Sequence, residues 1–196
     1  CGSLIESKTV FVGETELGTD HRETSGVSFS AKDQIIHTGV NSRIRTLEAL
    51  ISLSPDCMGR GGVIVGNYVY GGDDLINLEI YYGGRVRLYY KTGGKAYSYI
   101  FNTDVRTGEP VHIAVSISDT KASLYIDGAL AETVAVHGTL PDTVSNVTVG
   151  GDHRDYDKQI FKGTVYSVTL FEDERTALEI SKDAAAVDMA AEGLVY

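Results

Sequence analysis

Apolar and polar positions alternate one by one through most of this chain. The clearest stretch is 111–132. Val111, Ile113, Val115 and Ile117 alternate with His112, Ala114, Ser116 and Ser118, and Asp119-Thr120-Lys121 then turns the chain. Leu124 and Ile126 resume the alternation, with Ser123 and Tyr125 on the other face. A period of two marks a strand with one buried face. Asp127-Gly128 predicts a tight hairpin, because a type I′ turn needs positive φ at both central positions. Leu130 and Val134 lie on the returning strand, so the stretch reads as a three-strand meander.

The same pattern predicts strands at 10–12, 27–29, 34–37, 45–53, 61–66, 78–82, 85–90, 96–101, 147–151 and 161–171. Residues 45–53 contain good helix formers, but Leu47, Ala49, Ile51 and Leu53 alternate with Thr46, Glu48, Leu50 and Ser52. The Ser54-Pro55 stop that follows also favours a strand. Gly83-Gly84 and Gly93-Gly94 sit between alternating runs and predict hairpins. Polar segments at 19–26, 67–74, 138–146 and 152–158 read as loops. Helix formers at 182–191 predict a docked terminal helix or the start of a linker, ended by Gly193. The predicted core is Leu47, Ile51, Val63, Val65, Leu78, Ile80, Leu88, Ile113, Val115, Leu124, Ile126, Val149, Val165, Val168 and Leu170, shared between two sheets.

The hairpin Leu124-Tyr-Ile-Asp-Gly128 resembles the signature hairpin of laminin G-like domains in the concanavalin A-like lectin/glucanase superfamily. The closing unit is similar too: a strand ending Gly150-Gly-Asp152, a polar loop, Phe161-Lys-Gly163, a long strand, and a turn reaching Glu179-Ile180. The resemblance spans about 25–180. It implies an all-β fold, a concanavalin A-like jelly-roll sandwich of two antiparallel sheets. It places one domain at 1–180 and a terminal helix or linker to a further domain at 181–196. It does not name a ligand.

Composition fits that reading. The 196 residues suit a single all-β unit, and 42% hydrophobic content supplies a sizeable core. The 22 Gly and 12 Tyr suit short strands and tight turns. A net charge of −10 argues against nucleic acid or an anionic membrane as partner. Cys1 and Cys57 make no disulfide framework; one bridge and two free thiols both remain open. No apolar run is long enough to span a bilayer. A chain starting Cys-Gly-Ser rather than Met is expected to be a piece of a longer protein. A processed bacterial lipoprotein and a cut in a longer chain explain it equally well.

Glucanases of the superfamily carry Glu-x-Asp-x-x-Glu on one strand face, one carboxylate as nucleophile and one as acid. No Glu here has an Asp two positions on, and Glu172-Asp-Glu174 lies past the strand end with the wrong spacing. No nucleophile elbow, zinc helix or phosphate loop is present, and His21, His37, His112, His137 and His153 are scattered. The chain is therefore expected not to be an enzyme. No cofactor is implied with certainty. Calcium is the one cation the loops would suit, through Asp73-Asp74 or Asp152, Asp155 and Asp157, with a solvated acidic loop as the alternative. Val165-Tyr166 stand where some bacterial relatives have Ile-Asp, a departure from the family's calcium pattern. Asn146-Val-Thr148 matches a glycosylation acceptor, meaningful only in a secreted eukaryotic chain.

The polar faces of the strands carry the remaining candidates. Glu79, Tyr81, Arg87 and Tyr89 lie opposite Leu78, Ile80, Val86 and Leu88, and the meander adds His112 and Tyr125. Tyr81, Arg87, Tyr89, His112 and Tyr125 are expected on one exposed sheet face that stacks on sugar rings and hydrogen-bonds their hydroxyls. An ordinary solvated, Tyr-rich sheet face is the alternative. Tyr68, Tyr70, Asp73 and Asp74 are the next candidates. The expected function is a non-catalytic binding module, for a glycan, in a secreted or surface-anchored multidomain protein. A protein-adhesion or structural module packed on a catalytic neighbour is the second reading.

Overall fold

The computed structural model describes residues 7–11, 26–31, 34–54, 62–152 and 161–191, with backbone alone for 7–11 and 187–191. Among the described residues the predicted alternation becomes thirteen strands and one α-helix: β1 (Ser7–Phe11), β2 (Val27–Phe29), β3 (Ile36–His37), β4 (Thr46–Leu53), β5 (Gly62–Gly66), β6 (Leu75–Tyr81), β7 (Arg85–Thr92), β8 (Lys95–Asp104), β9 (Val111–Ile117), β10 (Lys121–Ile126), β11 (Ala129–Ala135), β12 (Thr148–Val149), β13 (Gly163–Phe171) and α1 (Ala177–Ala191). The first sheet runs β1-β13-β4-β9-β10-β11, with β2 also on the free edge of β13. The second runs β3-β12-β5-β6-β7-β8. The pairings are antiparallel throughout. The architecture is an all-β sandwich of the concanavalin A type.

The core lies between the sheets. Leu47, Ile51, Val65, Leu78, Ile80, Leu88, Ile113, Val115, Leu124, Val149, Val165, Val168 and Leu170 form one buried cluster, with Ile126 half-buried against it. Fully burying an aliphatic side chain of this kind is worth about 1.5–3 kcal/mol. Tyr90 joins the core as well. It stacks on Tyr97 and Tyr99, with centroids 5.0 and 5.9 Å away, and its hydroxyl donates to the His137 carbonyl at 2.5 Å. Val63 is buried but faces outward. It pairs with Glu79, and the register shift between Val63 and Val65 turns Ile64 into the core instead.

The turns follow the residues that allow them. Asp127 and Gly128 have φ of 48° and 77°, and Gly93 and Gly94 have 56° and 74°, so both hairpins close with two left-handed residues. The β6–β7 connection is wider than Gly83-Gly84 alone suggests: Tyr82–Gly84 form a 3-10 turn, and Tyr81 pairs with Arg85. The segment 174–176 leads into α1, whose start is a capping box. Thr176 Oγ1 accepts from the Glu179 N–H at 3.3 Å, and Glu179 Oε2 accepts from the Thr176 N–H at 2.8 Å. Ile180 and Ala184 are the buried residues of the helix between 177 and 186, packed on the outer face of the first sheet. Ile180 clusters there with Ala114 and Tyr125.

Candidate functional site

The five residues expected on one face lie on two. Tyr81 belongs to β6 and Arg87 and Tyr89 to β7, in the second sheet, whereas His112 is on β9 and Tyr125 on β10, in the first. Alternation fixes the face of a strand within its own sheet. It does not say which sheet the strand joins, and the long connection 105–110 carries the chain from β8 across to β9. The two groups therefore stand on opposite outer faces with the core between them. Nor are His112 and Tyr125 exposed: their relative exposures are 2% and 7%, beneath α1.

Tyr81, Arg87 and Tyr89 do come together. On the β6–β7 ladder Glu79 is directly opposite Arg87, Asn77 opposite Tyr89 and Tyr81 opposite Arg85. Cross-strand neighbours of opposite charge stabilise a sheet. Here Arg87 Nε donates to Glu79 Oε2 at 2.9 Å, and Nη2 reaches the same oxygen. Asn77 Nδ2 donates to Glu79 Oε1 at 3.0 Å, which fixes the carboxylate from its other side. Asn77 is itself held, because its Oδ1 accepts from the Asn67 N–H at 3.1 Å. A Cβ on Gly66 would collide with that Asn77 oxygen, so glycine on the neighbouring strand makes room for the network.

Aromatic rings surround the guanidinium. It lies 4.7 Å from the Tyr81 centroid and 6.0 Å from that of Tyr89. Such contacts hold a cation against a ring. Tyr68 leans on Tyr89 with centroids 5.6 Å apart, and Tyr82 meets Tyr81 edge-on at 4.9 Å. Tyr68, Tyr81 and Tyr89 are half-buried and Tyr82 is 49% exposed, whereas the Glu79 and Arg87 side chains are only 2% and 11% exposed. The face is thus only partly exposed, where an exposed one was expected. The charges form a nearly buried ion pair, and the tyrosines carry the accessible surface. Asn77 gives no signal of its own in the sequence, because Leu75, apolar yet on the outward parity, blurs the start of β6. Glu79 was visible on that face, but its role in holding Arg87 was not.

The acidic loop places its carboxylates in turn contacts. Asp73 Oδ2 accepts from the Gly94 N–H at 2.8 Å, and Asp74 Oδ1 accepts from the Thr92 hydroxyl at 3.3 Å. Both line a rim cavity of about 350 Å³ with Asn67, Thr143, Ser145 and Asn146. Among the described residues, no group of three His, Cys, Asp or Glu side chains is arranged to hold a metal ion. Asp152 is buried; Asp155, Asp157, Cys1 and Cys57 lie outside the described residues. Tyr70, at 90% exposure, projects from the loop tip.

The chain belongs to the family described as the concanavalin A-like lectin/glucanases superfamily, which it matches over residues 25–181. No curated protein matches it in sequence. Several solved structures share its fold. The botulinum neurotoxin serotype D binding domain superposes with a TM-score of 0.63 at 13% identity, covering 93% of this chain and 47% of that one. The CBM40 module of the Ruminococcus gnavus IT-sialidase, bound to α2,3 sialyllactose, gives 0.55 at 15% identity, covering 82% of this chain and 98% of that one. A variant of the NanB sialidase from Streptococcus pneumoniae gives 0.57 at 12% identity, with 81% of this chain covered. The chain spans 27% of that sialidase's length. At these identities the likeness is one of fold.

Proposed function

We propose that this domain is a carbohydrate-binding module that takes a sugar against the tyrosines around Arg87 on the outer face of the second sheet. One observation carries the reading. Tyr68, Tyr81, Tyr82 and Tyr89 gather on one patch around a guanidinium already positioned by Glu79. Half-exposed tyrosine rings offer apolar contact to a pyranose and a hydroxyl to its oxygens. Membership of the lectin/glucanase superfamily supports a binding role, and a fold-mate solved with a sialylated trisaccharide makes sialylated glycans the first ligands to test. Catalysis is not part of this reading, since the chain lacks the carboxylate spacing of the superfamily's glucanases. The setting proposed is a secreted or surface-anchored multidomain protein. No helix among the described residues is long and apolar enough to cross a membrane.

A glycan array with the wild-type domain and a Tyr81→Ala/Tyr89→Ala double variant tests this. Binding of the wild type that the double variant loses, at an unchanged melting temperature, supports the site. Binding that survives moves it to the rim loop, with Tyr68, Tyr70, Asp73 and Asp74. No binding to any glycan would favour a protein-adhesion module.

A further inference from the structure

The outer face of the first sheet holds a buried acid–imidazole pair that sugar binding does not use. Glu48 on β4 and His112 on β9 meet through Oε2 and Nε2 at 3.3 Å, with side chains 4% and 3% exposed. Their other polar atoms, Glu48 Oε1 and His112 Nδ1, find no hydrogen-bond partner among the described residues. Buried polar atoms in such a state are costly. Over this part of the sheet lies α1: Ile180 clusters with Ala114, the ladder partner of Glu48, and Asp183 is close enough to act on the Glu48 carboxyl. Between 177 and 186 only Ile180 and Ala184 are buried. The segment in front of the helix has its own anchors. Thr46 Oγ1 donates to the Asp173 carbonyl at 2.9 Å and accepts from the Arg175 N–H at 2.9 Å, and the Ser116 hydroxyl donates to the Arg175 carbonyl at 2.8 Å. The chain up to 175 is thus tied to the sheet by bonds that lifting the helix does not break.

We propose that α1 is a proton-controlled cover, docked while the Glu48–His112 pair holds one proton between its two facing atoms and lifted when that proton leaves. With the proton, the pair is neutral overall, whether written as carboxylate and imidazolium or as acid and imidazole. Without it, the docked helix seals a net negative charge away from water, which is expensive. The surrounding groups set the balance. Asp183 on α1 and Arg175 before it both act on Glu48, and Arg175 is itself paired with Asp183 at 2.5 Å and with Glu179 at 3.1 Å. From the β10–β11 turn, Asp127 Oδ1 accepts the backbone N–H of His112 at 2.9 Å, and Tyr125 lies on β10 beneath Ile180. Burial pushes the Glu48 carboxyl above the usual carboxylate range, while His112 pulls it down. Sealing the unprotonated pair costs more than sealing the neutral one, so docking weakens as pH rises through the value at which the docked pair loses that proton. Lifting would uncover Tyr125, which packs beneath Ile180, and the neighbouring His112.

The test is a pH series of amide spectra on the ¹⁵N-labelled domain, following residues 177–186 against the strands. An Ile180→Ser variant, which removes the apolar seat, supplies the spectrum of the lifted helix on a folded sheet. The wild type should shift toward that spectrum as pH rises, the docked-to-lifted ratio falling about tenfold per pH unit through the window in which one proton is lost. Glu48→Gln, which has no proton to lose at that side chain, should keep α1 docked as pH rises through that window. Helix signals that stay fixed across the series, or that move equally in Glu48→Gln, would overturn the proposal.

Discussion

Gly128 sits directly beneath Ser181: a Cβ added to the glycine would lie 3.0 Å from the Ser181 Cα and 3.1 Å from the Ala184 Cβ. The hairpin turn and the helix seat are therefore one contact. Gly128 also has φ of 77°, a conformation a β-branched residue resists. Gly128→Val is expected to lower stability by about 1–3 kcal/mol, part turn strain and part overpacking against α1. A melting curve checks this. A chain shortened to end before Ala177 should suffer less from the same substitution, since only the turn strain then remains.

Arg87→Ala should be among the most destabilising single changes on the second sheet. It leaves Glu79 nearly buried without its cross-strand cation, and losing one partner of such a pair costs about 3 kcal/mol or more. Chemical denaturation should show that loss, with Glu79→Gln/Arg87→Met milder than Arg87→Ala. Equal stability of Arg87→Ala and wild type would mean the pair is not held as described.

Thr176→Ala removes one half of the α1 capping box and is expected to cost about 1 kcal/mol or less, read as a lower melting temperature. The Thr176 N–H and hydroxyl hold the Glu179 carboxyl below the usual carboxylate range. Being lowered, this group contributes stability at neutral pH that is lost as pH falls from the ordinary carboxylate value through the lowered one. Its exposure keeps the effect small, so Glu179→Gln should change the acid limb of the stability curve only slightly.

Hydrolysis offers a separate check. The purified domain should release no reducing sugar from β-glucans or other polysaccharides. Release that a single Asp or Glu substitution abolishes would show a carboxylate pair outside the superfamily's usual spacing.

Much of the fold was legible because alternation is a local signal. Leu47, Ile51, Ile113 and Val115 declare a buried face on their own strands, and Asp127-Gly128 declares its turn. Thr46–Leu53 form a strand despite their helix propensity, because β9 and β13 on either side complete their hydrogen bonding. What local signals could not carry is the assignment of strands to sheets. Arg87 and His112 both lie on the polar face of their strands yet end on opposite sides of the sandwich, since that choice depends on the path of residues 105–110. Burial of polar residues was equally hidden. Glu48 and His112 look like solvated face residues until a helix more than sixty residues further along covers them. The Tyr81, Arg87 and Tyr89 group was legible for the opposite reason: all three lie on one hairpin, where parity alone is enough.

An NMR titration of the labelled domain with α2,3-sialyllactose and with a neutral oligosaccharide series tests most directly whether that hairpin binds sugar. Saturable amide shifts should concentrate at 68, 79–89 and the 3-10 turn. The affinity should be weak, near the millimolar range or about −4 kcal/mol, and lost in Tyr89→Ala, whose melting temperature stays near that of the wild type. Shifts confined to the rim cavity or to α1, or full affinity in Tyr81→Ala and Tyr89→Ala alike, would contradict it.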